Sequence, residues 1–216
     1  FDSAVIYGPY GSGKDEPLLY TLPMETYTGY MPMYGQHIEE SAVCADCHTL
    51  VTEIVDLEGN YTGDVYVEQA TYHEWVNSVY SGEGVDLPLG SEGSEATCQS
   101  CHMPRLEDPV IISSGYAFLE PRSPFGLHTL VGANTAMLEI MRDNVEGLGL
   151  TATAAQFDST LSRTLDMLLG KSISLDIIES GFSNELEKHR VKVELINLAG
   201  HKFPSGFPAR RVFVEL

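Results

Sequence analysis

Two pentapeptides, Cys44-Ala45-Asp46-Cys47-His48 and Cys98-Gln99-Ser100-Cys101-His102, contain all four cysteines of the chain and two of its seven histidines. In each, two thiols stand three residues apart and an imidazole follows the second. On one turn of helix, that spacing lets both sulfurs add as thioethers to the two vinyl groups of a single porphyrin. The adjoining histidine then falls under the iron as its proximal ligand. The pattern therefore points to two covalently bound haem c groups, held by Cys44, Cys47, Cys98 and Cys101, with His48 and His102 on the irons. Other uses of such pairs fit less well. Zinc sites built from two C-x-x-C pairs separate them by about 15–20 residues, whereas Cys47 and Cys98 lie about fifty apart. Thioredoxin-like chemistry needs an apolar strand before the motif, and two plain disulfides leave the paired histidines unexplained.

A low-spin haem needs a sixth ligand. No methionine stands in a His/Met cytochrome motif, but five histidines remain: His37, His73, His128, His189 and His201. Bis-histidine ligation of both irons follows, which keeps the potentials low because methionine ligation is what raises them. His201, in a Gly-His-Lys-Phe-Pro turn between two expected strands, is aimed inward. His73 beside Trp75 reads as packing, and His189 among charged residues as surface. If residues 37–48 form one helix, His37 sits about 16 Å up the axis from His48 and serves the neighbouring haem rather than the nearest. Arg122, Lys202, Arg210 and Arg211 are scarce cations that suit either haem propionates or ordinary surface ion pairs.

The formal charge of −19, before four propionates are added, argues against nucleic acid and anionic membrane as partners. No apolar run approaches the 18 or more residues of a membrane span. Residues 1–36 read as irregular, punctuated by glycine and proline. A helix is expected from about His37 into the first motif. A hairpin turning at Glu58-Gly59-Asn60 joins 50–55 to 64–67, and a helix spans 69–80. A Gly/Ser/Glu loop covers 82–97, and a proline-rich loop covers 103–126. Helices are expected over 134–145 and over 153–169, the latter carrying Phe157, Leu161, Leu165 and Leu168 at helical spacing. Residues 173–178, 191–198 and 211–216 alternate as strands, and the last of these suggests that the natural chain runs on.

The runs Tyr34-Gly35-Gln36-His37-Ile38 before Ser41-Ala42-Val43-Cys44, Thr71-Tyr72-His73-Glu74-Trp75, Cys98-Gln99-Ser100-Cys101-His102-Met103-Pro104, Arg122-Ser123-Pro124-Phe125-Gly126-Leu127-His128 and Gly200-His201-Lys202-Phe203-Pro204-Ser205-Gly206 resemble multihaem cytochromes c. These are exported bacterial electron carriers in the motif style of the cytochrome c554 and nitrite-reductase group. The resemblance covers the chain from about residue 30 onward. It implies distal iron ligands at His128, His201 and His37, in that order, and a periplasmic, cell-surface or extracellular location. Members of that group usually carry more than two haems.

The expected fold is α+β: helices and irregular loops wrapped around two haems over residues 1–150, then a helix and a small β-rich module over 151–216. The expected function is electron relay between redox partner proteins or further copies of the chain, with a homo-oligomeric haem filament as one form. The alternative is the haem-bearing part of a reductase or oxidase acting on a small nitrogen or sulfur substrate, which needs an iron with an open position.

Overall fold

The computed structural model describes residues 4–11, 21–81 and 96–215. It is a mixed α+β structure of short helices and two-stranded sheets, divided into two units, Phe1–His128 and Thr129–Leu216. The division falls before the expected boundary at 150, so the helix over 134–145 belongs with the helix that follows it.

In the first unit, the stretch expected to be irregular has structure of its own. Strands β1 (Val5–Gly8) and β2 (Met31–Tyr34) pair in parallel, and helix α1 (Thr21–Thr28) precedes β2. Four-residue strands that include Gly8 and Pro32 carry too short a pattern to read from sequence. The expected helix from His37 into the first motif is broken. A 3₁₀ turn covers Gln36–Glu39, Glu40 takes an extended conformation, and α2 (Ala42–His48) starts afresh. The axial spacing of about 16 Å between His37 and His48, which a single helix requires, therefore does not hold.

Strands β3 (Leu50–Val55) and β4 (Tyr61–Gln69) form the expected antiparallel hairpin. Its turn is organised by Asp56, whose Oδ1 accepts from the backbone N–H groups of Glu58 at 3.0 Å and Asn60 at 2.8 Å. Those hydrogen bonds, Asn60's first, hold the Asp56 carboxyl below the usual carboxylate range. A depressed carboxylate pKa stabilises the turn above the unfolded-state value and loses that effect as pH falls through the folded value. Helix α3 (Thr71–Val76) is shorter than the expected 69–80, and a 3₁₀ turn at Val79–Ser81 takes over its end. Of the expected loop over 82–97, residues 82–95 lie outside the described residues. The second motif occupies α4 (Cys98–His102). Strands β5 (Arg105–Leu106) and β6 (Phe125–Gly126) then pair across the proline-rich loop, which Val110 and Arg122 pin with reciprocal backbone bonds of 3.0 and 2.9 Å.

The second unit opens on helices α5 (Thr135–Asp143) and α6 (Ala154–Met167). Asn134 caps α5 through Met137 N–H at 3.0 Å. Thr153 and Gln156 form a reciprocal capping box on α6, at 3.3 and 2.7 Å. Arg142 of α5 donates to Asp158 of α6 at 3.2 Å, an exposed pair worth little by itself. Phe157 and Leu161 are buried as the helical spacing predicts, but the stripe turns next onto Thr164, which is 0% exposed, and leaves Leu165 46% exposed. A cap of the Thr153 kind stabilises by about 1 kcal/mol. Thr153→Ala should accordingly lower the unfolding free energy of this unit by that amount, seen in urea as a lower midpoint with the slope unchanged; an unmoved midpoint would show that the capping box does not stabilise it.

A π-helical turn over Leu168–Ser172 leads into a long antiparallel hairpin, β7 (Ile173–Ser183) with β8 (Lys188–Asn197). Both strands run longer than the expected 173–178 and 191–198. The ladder register puts Leu175, Ile177, Phe182, Val191 and Leu195 on one face and Lys188, Arg190 and Lys192 on the other. Residues 211–215, expected as a strand, form none. Their pattern alternates, but a strand exists only where a neighbour completes its ladder, and no described residue pairs with them.

Candidate haem-attachment site

Each motif lies on its own short helix, so the sulfurs of Cys44 and Cys47, and of Cys98 and Cys101, leave one side of one turn. Cys47, Cys101 and His48 are exposed, while Cys44, Cys98 and His102 are half-buried. The two helices, far apart in sequence, meet in space. The Cys44 thiol lies near the Cys98 thiol. Burial pushes Cys44 above the ordinary thiol range, and the neighbouring Cys98 and Cys47 add to the rise.

Hydrogen bonds join the motifs around that contact. Ser41, 4% exposed, stands at the N-cap position of α2 but does not cap it. Its Oγ instead accepts the Cys98 backbone N–H at 3.0 Å, across 57 residues of chain. Within the second motif, Gln99 Nε2 donates to the Ile38 carbonyl at 2.8 Å and to the Glu40 carbonyl at 3.0 Å, at the end of the 3₁₀ turn that carries His37. Two carbonyl partners settle which end of the amide is nitrogen. Three such bonds contribute about 1 kcal/mol each. Behind them, the Trp75 indole N–H donates to Ala96 O at 2.9 Å, and Ala96 N–H to Tyr80 O at 3.0 Å, fixing the approach to α4 from α3. Sequence reasoning gave Ser41 and Gln99 no role beyond their places in the motif runs.

The candidate distal histidines are distributed as follows. His128 is exposed and is brought back to the second motif by the β5–β6 pairing. The neighbouring Leu127 N–H donates to Pro104 O at 2.9 Å, two residues after His102. His37 is exposed and stands edge-on to Tyr7, with ring centroids 5.1 Å apart. Its imidazole is seated over Gly35, where a Cβ would come within 2.6 Å of Cε1, so only glycine leaves the ring that position. Gln99 ties the His37-bearing turn to the second motif, while the Val43 N–H donating to Glu40 O at 3.2 Å keeps it beside the first. His201 belongs to the other unit, in the turn after β8, with Nδ1 3.0 Å from Lys202 O and its own carbonyl accepting from Asn197 at 2.8 Å. His73 is exposed on α3 beside Tyr72, and His189 packs edge-on to Phe182 at 5.4 Å. Among the cations, Arg122 sits 4.4 Å above the Tyr10 ring and Arg210 donates to Ser205 O at 3.0 Å.

Two further observations bear on whether a haem fits these residues. Among the described residues of Phe1–His128, only Pro32, Gly35 and Ser41 are buried; the buried apolar side chains, Val131, Phe157 and Leu161, all lie in the other unit. A unit of that length normally encloses an apolar core, which two macrocycles would supply. Among the described residues, three buried polar side-chain atoms have no partner; one is Thr49 Oγ1, directly after His48, and another is Gln99 Oε1, inside the second motif. The donor set and the missing core fit covalently held haem. No helix among the described residues is long and apolar enough to cross a membrane. No protein-family model, curated protein or solved structure matches the chain.

Proposed function

We propose that this chain is a dihaem c-type cytochrome that relays electrons, with helices and loops of residues 1–128 wrapped around two haems. The observation that carries the reading is the meeting of two complete C-x-x-C-H helices, joined where the Cys98 N–H donates to Ser41 Oγ at 3.0 Å. Each haem, when attached, supplies an iron that takes up and gives back one electron. The chain's own residues do the rest. Cys44, Cys47, Cys98 and Cys101 fix the macrocycles through thioethers, and His48 and His102 take the proximal positions. His128, His201 and His37 are the distal candidates, and two imidazoles on each iron leave no open position for a substrate. That distinguishes a relay from a nitrogen- or sulfur-substrate reductase.

Charge supports the kind of partner. Phe1–His128 carries three Lys and Arg against twenty Asp and Glu, whereas Thr129–Leu216 carries nine against eleven. Charge on that scale steers encounter, so the haem-bearing unit suits redox partners with a cationic docking face, or the less acidic part of a further copy in a filament. Thioether attachment of haem is completed outside the cytoplasm, which makes the chain an exported one. The test is the ferric chain's electron paramagnetic resonance spectrum. Low-spin signals alone, with two haems per chain, are expected; a high-spin signal from the native protein would mark an open iron and favour the reductase.

A further inference from the structure

We infer that Gln99 and Ser41 are positioning residues that clamp the two haem motifs into one rigid pair and so set the electronic coupling between the haems; this rests on the dihaem reading above. Neither residue bears a haem or a ligand atom in that reading, and neither is spent on its own helix. Ser41 occupies the N-cap position of α2, where a serine hydroxyl ordinarily accepts from its own first turn, yet its Oγ accepts the first N–H of α4 at 3.0 Å. Thr97 caps α4 locally through Ser100 N–H at 3.3 Å, so the first turn of that helix is held by two hydroxyls, one from each motif. Gln99 fills a position the attachment signature leaves free. Both protons of its amide go to Ile38 and Glu40 carbonyls on the other motif's approach. The three bonds join the elements that carry Cys44 and Cys98, the thiols from which the two macrocycles would be tethered, so the angle between α2 and α4 would set the angle between the haems.

Gln99→Glu tests the amide with little change of size, because a carboxylate only accepts and would face two carbonyl oxygens. Ser41→Ala removes the second bond independently, and Ser41→Thr keeps the hydroxyl. The readouts on the purified, haem-loaded chain are haem per chain by the pyridine haemochrome assay and the Soret circular dichroism couplet that two closely coupled haems produce. Expected are two haems in every protein, a couplet in the native chain and in Ser41→Thr, and its loss in Gln99→Glu and Ser41→Ala. Two haems with the native couplet retained in either of those variants, or no couplet in the native chain itself, overturns the clamp and leaves the dihaem reading standing. A native chain without two haems overturns that reading, and the clamp's role with it.

Discussion

Replacing Cys98 and Cys101 together by serine should halve the covalently bound haem, from two per chain to one. The second motif supplies the only thiols outside Cys44 and Cys47, and a thioether cannot form at a hydroxyl. The mass of the intact protein should fall by one haem beyond the change of the two side chains, and haem-stained gels should retain the remaining band. The double substitution also removes the partner of the Cys44 thiol, whose raised pKa follows first from burial and then from Cys98. In any material that escapes haem loading, Cys44 should therefore titrate nearer the ordinary thiol range. The alternatives make different forecasts. A zinc site assembled from both pairs would lose its metal outright, and two disulfides would leave no haem mass to lose. An intact mass unchanged apart from the serine substitutions would end the case for attachment at the second motif.

The second large effect is expected at His128. Attachment and distal ligation are separate interactions, so His128→Ala should keep two haems on the chain while converting about half of the low-spin ferric signal to high spin, one of the two irons having lost its sixth ligand. The fold makes His128 the sharpest test among the candidates. The β5–β6 ladder and the Leu127–Pro104 bond return it to the second motif within a single unit, whereas His201 is carried by the other. Exogenous imidazole should restore the low-spin spectrum of His128→Ala by filling the vacated position. A variant spectrum that remains wholly low-spin would remove His128 from the ligand set.

Local chemistry explains which parts of this architecture were legible in the sequence. The β3–β4 hairpin announced itself through alternation about Glu58-Gly59-Asn60, with Gly59 at a φ of 86°, and α6 through its helical stripe. The stripe misled at Leu165, because the buried face after Leu161 continues onto Thr164; sequence spacing cannot choose between i+3 and i+4 without knowing what lies opposite. The helix expected from His37 failed at Glu40, whose type permits helix but whose conformation is extended. Residues 211–215 alternate like a strand but lack a neighbour. The two C-x-x-C-H pentapeptides are plain in the sequence, since fixed residue types at a fixed spacing can be read without knowing the fold. The roles of Ser41 and Gln99 are not, because a polar contact between residues 57 to 61 positions apart leaves no periodic trace.

Ser41's misdirected hydroxyl also has a consequence for folding. Without the second motif, α2 is a seven-residue helix that lacks a side-chain cap, and helices that short do not persist alone in water. Its order is borrowed from the second motif: Gln99 ties down the approach to α2, and the Cys98 N–H holds the Ser41 hydroxyl. The two pentapeptides therefore form as one cooperative unit, and loosening either one loosens both.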